Sequence, residues 1–283
     1  MTTKAQNIYL NENDKDDLVS IKGEIIESVA RATVSTKIKN KYGVGNPAAG
    51  SVTYDRFKNS ESKAYGTARA AGKGDALVND GKVTNNIDDR REISAEFELD
   101  DVERYGIPDL ITKRKTNQAA SMARYLDTKF FAEAVNAGTA ITGLLKTAPI
   151  QDTLETIIQT LETVSNNWVD GVDRGMIVLS VKPSVYGKLA NYLNEVKNEI
   201  TGSIDVLFNG QVRIFSNVNQ TKDIIAMAEG AIAQDVNVRD YDPQRVPFSD
   251  SVEASLFYTQ GTKAVMPDLV FYADLADGGS GES

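Results

Sequence analysis

A polar, glycine-rich stretch between two strand-like runs constrains the fold more than any other feature of this sequence. It covers residues 69–86 and reads RAAGKGDALVNDGKVTNN. A loop of this length inside a compact domain is uncommon unless it serves a function. Its composition offers almost nothing that a hydrophobic core would take up. The sequence therefore predicts that this stretch is the distal part of a projection that leaves the body of the subunit.

Alternating polar and apolar residues predict the two limbs of this projection. The first limb begins at Ser51 and alternates from Val52 through Tyr54. On the return limb, one face carries Ile93, Ala95, Phe97 and Leu99, and the other carries Ser94, Glu96, Glu98 and Asp100. A period of two is typical of a strand with one solvated face. The sequence thus predicts an extended β-hairpin loop over residues 51–100.

The most regular helix follows this projection directly. Pro108 and Asp109 are typical of a helix start, and Gly138 is a favourable stop. One face between them is apolar and contains Ala119, Met122, Ala123, Leu126, Phe130 and Val135. A helix of about thirty residues reaches about 45 Å, which is more than the core of a small domain needs.

The N-terminal residues predict an arm, a helix and a strand in that order. Residues 1–15 are polar and without a period, which indicates a loose arm. The apolar residues between 17 and 32 recur at spacings of three and four, which predicts a helix. Val34, Thr36 and Ile38 then alternate with polar residues, which is typical of a strand.

The remainder of the chain predicts a mixed α/β body. Helices are expected after Thr153 and from Pro183, with a short apolar strand, MIVLSV, between them. Further strands are expected around Gly210 and Gly230, and the strands after residue 251 are expected to break at Gly261 and Pro267. The last residues, ADGGSGES, predict a disordered tail.

Two absences narrow the classes of function. The chain has neither cysteine nor histidine among its 283 residues. Disulfides, thiolate nucleophiles and thiolate metal sites are thereby excluded, and the commonest general base is missing. The formal net charge of -9 disfavours a tight, nonspecific grip on nucleic acid, which needs clustered lysine and arginine. No apolar run approaches the roughly 20 residues of a membrane helix, and no secretory signal is recognisable, so release into the cytosol is expected.

Three segments contain residue types that could form a binding or catalytic site. The run GTARAAGKG at 66–74 fails as a phosphate loop, because its spacing is wrong and Gly74 replaces the hydroxyl that would hold magnesium. Glu96, Glu98 and Asp100 share one strand face and could supply a carboxylate pair, although alternation alone puts charge on any solvated strand face. The basic cluster at 113–115 is explained equally well by a solvated helix turn and by a contact with phosphates or with a neighbour's acidic face. We expect no catalytic, cofactor or metal site.

The order of these elements resembles the major capsid proteins of tailed bacteriophages, which have the Hong Kong 97-type fold. Residues 42–75, YGVGNPAAGSVTYDRFKNSESKAYGTARAAGKGD, resemble the segment that leads into the extended loop of that family. Residues 101–135 resemble its spine helix. The segments MIVLSVKPSVYGKL and AVMPDLVFYADL resemble parts of its axial domain. The resemblance covers residues 37–275.

The resemblance implies an α+β fold with six parts. These are an N-terminal arm and helix (1–50), the extended loop (51–100), a peripheral domain with the long spine helix (101–150), an axial domain (151–250), a return strand to the peripheral domain (251–275) and the disordered tail (276–283). The short arm leaves no room for the cleaved scaffolding segment of some family members. A separate scaffolding protein is therefore expected.

The resemblance also implies a structural protein that forms pentamers and hexamers of an icosahedral virion shell. The shell would be assembled in the cytoplasm of a host bacterium and would enclose double-stranded DNA without reading its sequence. The resemblance implies a portal protein as a partner, and decoration proteins as partners in some members. It implies no contact with a membrane. The residues expected to contact neighbouring subunits are Tyr65, Arg69, Lys73, Asp75, Lys82, Arg90, Arg91, Lys113 and Arg114.

Two alternatives remain open at this point. The first is an encapsulin-like compartment, which shares the architecture and stores an enzyme instead of a genome. The second, more remote, is a carboxylate-based hydrolase that uses Glu96, Glu98 or Lys113.

Overall fold

The computed structural model describes residues 12–57, 59, 64–66, 81–196, 212–239, 244–249 and 251–277. The helices are α1 (Glu12–Ala32), α2 (Ser35–Ile38), α3 (Leu99–Tyr105), α4 (Ile107–Ala137), α5 (Ile150–Glu162) and α6 (Pro183–Val196). The strands are β1 (Val44–Asn46), β2 (Ser51–Tyr54), β3 (Val83–Asn86), β4 (Asp89–Phe97), β5 (Thr139–Ala140), β6 (Ile177–Val181), β7 (Arg213–Ser216), β8 (Ile224–Ala228), β9 (Ile232–Val238), β10 (Gln244–Arg245), β11 (Val252–Ala264) and β12 (Val270–Ala273). The expected mixture of helices and sheets is confirmed.

The chain divides into two compact units. The first unit takes residues from 1–37, 87–127 and 235–261, and the second takes 38–86, 128–234 and 262–283.

The first unit packs helices against an antiparallel sheet. Strand β11 lies at the centre of this sheet and pairs with β4, β9 and β10. Helix α1 buries Ile21, Ile25 and Val29, because residues four apart lie on one helix face. The core continues with buried residues of the first part of α4 and with alternate residues of the sheet: Ala119, Met122, Ala123, Leu126, Ala95, Phe97, Ala254 and Leu256.

The second unit has a five-stranded mixed sheet in the order β5-β12-β8-β6-β7. Strands β6 and β8 are buried at every position, as expected of strands covered on both faces. Helix α5 contributes Leu154, Ile157, Ile158 and Leu161 to this core, and its buried face also contains Thr153. The last part of α4 adds Phe130 and Phe131, whose rings meet edge to face with centroids 5.3 Å apart. The helix ends where Gly138 was predicted to stop it.

A separate three-stranded sheet, β1-β2-β3, also belongs to the second unit. Strands β2 and β3 are antiparallel, with Ser51 opposite Asn86 and Tyr54 opposite Val83. This pair is the base of a hairpin whose connecting residues are 55–82. We call these connecting residues the hairpin loop.

The predicted return limb of the projection is wrong only from Asp89 onward, because its first residues form β3 and pair with β2. Strand β4 does show the expected alternation, with Ala95 and Phe97 buried and Glu96 exposed. It pairs with β11 over its whole length, from Phe97 opposite Val252 to Asp89 opposite Gln260, and so it belongs to the first unit. Leu99, assigned to the same strand face, begins α3. Alternation identified the strand, but it carries no information on which strand is its partner.

The N-terminal predictions need two corrections. Helix α1 already begins at Glu12, within the stretch interpreted as a loose arm; residues 1–11 lie outside the described residues. The segment predicted as a strand contains the one-turn helix α2. The buried carboxylate of Asp127 explains this, because Oδ1 accepts the backbone N–H of Ser35 at 3.0 Å and Oδ2 accepts that of Val34 at 3.2 Å. These N–H groups have no partner within the helix.

Two further corrections concern the C-terminal part. Strand β11 continues through Gly261 to Ala264, because it is held by its pairing with neighbouring strands, whereas the predicted break at Pro267 is present as a short 3-10 turn. Ala276 and Asp277 do not belong to a disordered tail. Ala276 bridges to Leu145, and the Asp277 carboxylate lies 2.8 Å from Lys146 Nζ. Residues 278–283 lie outside the described residues.

Candidate assembly surface

The base of the hairpin presents an exposed edge strand. Within the described residues, β1 pairs only with β2, and all three of its residues are exposed. Tyr42 and Val44 are 89% and 72% exposed. Gly45 allows β1 to lie close to β2, because its φ is 144° and a Cβ at this position would lie only 3.0 Å from Ser51 O, which leaves no place for a side chain. An unpaired edge beside exposed apolar side chains is a surface to which another strand can bind.

A polar cluster fixes the point where the hairpin loop leaves β2. The Arg56 guanidinium donates from Nη2 to Asp268 Oδ2 at 2.5 Å and stacks on Trp168, with 4.8 Å between Cζ and the ring centroid. Asn166 Nδ2 donates to the same carboxylate oxygen at 2.7 Å. The Arg56 side chain is only 12% exposed. We call Arg56, Asn166, Trp168 and Asp268 the hairpin anchor.

The returning end of the hairpin loop packs against the same anchor. A Cβ at Gly81 would lie 2.8 Å from Arg56 Cβ, 3.0 Å from Arg56 O and 3.2 Å from the Trp168 ring. On the outgoing side, the backbone N–H of Asn59 donates to Asn167 O at 3.0 Å. Both ends of the loop are therefore tied to the second unit through contacts of that unit alone.

Two predicted contact residues lie on the described part of the hairpin loop. Tyr65 is 97% exposed, and Lys82, directly before β3, is also exposed. Phe57, at the start of the loop, is 46% exposed. The predicted contact residues Arg69, Lys73 and Asp75 lie outside the described residues.

The other predicted contact residues are in the first unit. Arg90 and Arg91 lie on β4 and are exposed. Lys113 and Arg114 lie on the first part of α4, where Lys113 Nζ is 3.6 Å from the ring centroid of Tyr105 and Arg114 Cζ is 5.9 Å from that of Phe97. The prediction thus combined residues of two separate units, and their role in subunit contacts stays a prediction.

Arg91 belongs to a polar cluster around Asp89. Asp89 Oδ2 accepts from the Tyr125 hydroxyl and from Gln260 Nε2, both at 2.7 Å, and Oδ1 accepts from Arg91 Nε at 3.0 Å. The Arg91 guanidinium also lies over the Tyr125 ring, 4.4 Å from its centroid. Burial and the hydrogen bond to Asp89 raise the pKa of Tyr125 to about 12, and burial raises that of Tyr258 to about 12. Both phenols therefore stay protonated at neutral pH, which suits a structural role better than proton transfer.

The carboxylates considered for hydrolysis lie on solvated surface. Glu96 is exposed on β4 and lies directly opposite Glu253 on the neighbouring strand β11. Glu98 is exposed directly before α3, and Lys113 is engaged by the Tyr105 ring. The exposure of Glu96 is that of a solvated strand face.

The second unit contains a cavity of about 640 Å³ lined by the 169–174 loop, Met176, Met266 and Leu269. Arg174 lies in its wall and donates four hydrogen bonds of 2.6–3.1 Å to Glu155 and Glu162. These hydrogen bonds hold the pKa of Glu162 below its ordinary value. Because two carboxylates already neutralise the guanidinium, the cavity offers no free positive charge to an anionic ligand.

Among the described residues, no group of three or more acidic side chains is placed to hold a metal ion. No helix in the same residues is long and apolar enough to cross a membrane.

Neither the hairpin anchor nor the exposed edge strand was predicted from the sequence. Arg56 and Asp268 are 212 residues apart along the chain, so no local pattern joins them. A usable signal existed for the edge strand, since Tyr42 and Val44 stand beside glycines in a segment without a second apolar face.

Comparison with solved structures identifies the fold. A chain from a structure of Mycobacterium phage Che8 matches with a TM-score of 0.58 and 20% identity, covering 85% of this chain and 90% of that one. The capsid structure of cyanophage P-SCSP1u matches with a TM-score of 0.57 and 11% identity, covering 84% and 86%. A virus-like particle from Pyrococcus furiosus matches with a TM-score of 0.55 and 14% identity, covering 90% and 98%.

The sequence matches no protein-family model and no curated protein. The similarity is therefore one of three-dimensional structure, and it extends over most of this chain and most of each matched chain. This chain has the fold of phage capsid proteins.

Proposed function

We propose that this chain is the major capsid protein of a tailed bacteriophage. In this proposal it self-assembles into the icosahedral head that encloses the double-stranded DNA genome. The observation that carries the proposal is the structural similarity to phage capsid chains over 84–87% of the sequence. The Hong Kong 97-type division into peripheral and axial domains is part of the proposal, with the extended loop ending before β4 and with Ala276 and Asp277 outside the tail.

Exposed aromatic rings on the hairpin loop support the proposed assembly. Its loop leaves an anchored base, yet Phe57 and Tyr65 expose large apolar rings to solvent. Such groups gain hydrophobic stabilisation only when a second surface covers them, at roughly 25 cal/mol per Å². In the assembled shell, an adjacent subunit supplies that surface.

The charge of the chain supports a container for DNA. A formal net charge of -9 on each copy repels phosphate and leaves a packaged genome free to move. DNA would be held without sequence-specific contacts. Pentamers and hexamers, a separate scaffolding protein, a portal and decoration proteins complete the proposed set of partners, in a virion assembled in the bacterial cytoplasm.

Electron microscopy and light scattering of the purified chain test the proposal. We expect closed shells when the chain is expressed with its scaffolding protein or held under assembly-promoting salt and crowding. Shells isolated from infected cells should contain nuclease-protected DNA of genome length. Compact monomers under all these conditions would refute it.

An encapsulin-like compartment is the second candidate. It is favoured by the match to the virus-like particle from Pyrococcus furiosus, of which 98% of the chain is covered. The contents of purified shells separate the two candidates: a single copurifying enzyme supports the compartment, whereas genome-length DNA supports the virus.

A further inference from the structure

The turn between β10 and β11 has an unusual residue at its tip. The backbone N–H of Ser249 donates to Val246 O at 3.2 Å, with Pro247 and Phe248 between them. Phe248 has a φ of 62°, and within the described residues it is the one non-glycine residue with a positive φ. A type II turn often has proline as its second residue and requires a positive φ at its third residue, which is usually glycine or asparagine. Pro247 and Phe248 occupy these two positions.

The Phe248 side chain is fully exposed, at 111% of its reference area. An aromatic ring here combines two unfavourable features, because the Cβ strains the left-handed backbone and the ring remains in water. Glycine would remove both. Strained backbone tends to occur where a side chain must be presented to a ligand or partner.

Hydrogen bonds on both sides of Phe248 constrain the backbone from which the ring projects. The backbone N–H of Val246 donates to Ser251 O at 3.0 Å. Ser249 Oγ lies 2.6 Å from Ser251 Oγ and accepts the backbone N–H of Ser251 at 3.1 Å. Pro247 also fixes its own φ, which restricts the backbone directly before Phe248. A preorganised contact loses less conformational entropy on binding.

We propose that Phe248 is an anchor residue through which one copy of the chain binds an adjacent copy. This inference rests on the proposed shell function, in which a second copy is the most abundant partner. An apolar ring also adds no charge to an interface between copies that each carry a formal net charge of -9. Buried aromatic rings of this kind dominate the energetics of many protein interfaces.

Phe248→Gly is the informative variant, because stability and assembly are expected to change in opposite directions. Removal of the strained Cβ should raise the midpoint of subunit unfolding. Loss of the ring should raise the concentration needed for shell formation at least tenfold, measured by light scattering and counted shells. Val218→Ser is the matched control, since Val218 is a 75% exposed apolar residue in the other unit. Its assembly should stay within twofold of wild type.

A crosslinking measurement identifies the partner directly. With p-benzoylphenylalanine in place of Phe248, irradiated shells should give dimers of this chain, joined at one defined surface identified by mass spectrometry. Irradiated free subunits should give none.

The outcomes separate this inference from the proposed function. If wild type forms shells and Phe248→Gly forms them equally well, the anchor is refuted while the shell function stands. Equal impairment by Val218→Ser, or a crosslink only to a different protein, also refutes the anchor. If wild type forms no shells under any condition, both fail together.

Discussion

The Asp127 carboxylate accepts the backbone N–H of Ser35, 92 residues away along the chain, at 3.0 Å. Asp127 is 3% exposed, and its second oxygen accepts the N–H of Val34 at 3.2 Å. One side chain of α4 thus caps the start of α2 from outside that helix. Within the first unit, this contact decides that the segment after α1 turns into a helix.

Asp127→Ala is expected to destabilise the folded subunit by about 1–3 kcal/mol. The reason is that two N–H groups lose their acceptor, and an unsatisfied buried donor costs about that much. Urea unfolding followed by circular dichroism measures the change. Asp127→Asn, which keeps one acceptor oxygen and the shape, should lose less than the alanine variant. An alanine variant as stable as wild type would show that solvent replaces the cap.

The pH dependence of stability should carry the signature of the same group. Burial raises the pKa of Asp127 above its ordinary value near 3.8, and the backbone hydrogen bonds only partly oppose this shift. Because the folded state binds the proton more tightly than the unfolded state, this contribution to stability is full below pH 3.8 and is lost as pH rises through the raised pKa. Wild type should therefore gain stability relative to Asp127→Asn between about pH 7 and about pH 4.

Urea unfolding of both proteins at several pH values in this range measures that difference. The asparagine variant serves as the baseline, since it shares every other titrating group. A difference that moves in favour of Asp127→Asn on acidification would contradict the assigned direction.

The hairpin loop should be dispensable for folding and required for assembly. Deletion of residues 67–80 leaves Gly81, β3 and the hairpin anchor in place, so we expect a change below about 1 kcal/mol in the free energy of unfolding. Shell formation should be lost, as judged by electron microscopy. A longer deletion, 69–86, also removes β3 and should lower stability, which makes it the matched comparison. Normal shells from the shorter deletion would refute the role of the loop in assembly.

Two glycine-to-alanine substitutions should change stability in opposite directions. At Gly81, the new methyl would lie 2.8 Å from Arg56 Cβ and 3.0 Å from Arg56 O, so a destabilisation of about 1–3 kcal/mol is expected from overpacking. At Gly187, within α6, nothing lies within 4 Å of the new methyl, and alanine should stabilise the helix by about 0.5–1 kcal/mol. Thermal unfolding of both variants measures the two changes. A Gly81→Ala variant stabilised as much as Gly187→Ala would mean that packing at the hairpin anchor is looser than described.

The sequence correctly predicted those helices and strands that are specified by residues close together in the chain. The apolar face and the flanking Pro108 and Gly138 predicted α4, and the uninterrupted apolar run predicted β6. All five residues of β6 are buried, and α4 buries its predicted apolar face except for the half-buried Val135. The order of the elements also led to the resemblance with phage capsid proteins, which the structural comparison confirms at the level of fold.

Long-range relationships could not be obtained in this way. Alternation in β4 was correct, but its partner β11 begins more than 150 residues later, and pairing of that kind leaves no mark on either strand alone. The segment at 35–38 has a strand-like pattern and becomes a helix because of Asp127. The exposed edge of β1, the hairpin anchor and the Phe248 turn were likewise found only in three dimensions.

The attachment of Ala276 beside Leu145 has a practical consequence for fusion proteins. The backbone N–H of Lys146 donates to Ala276 O at 2.9 Å, so the chain is held in place up to this point. Six residues follow Asp277 up to Ser283, and fully extended they span at most about 20 Å. A fluorescent or affinity tag joined there would stay within that radius of a known surface position, and it would report where this face of each subunit lies.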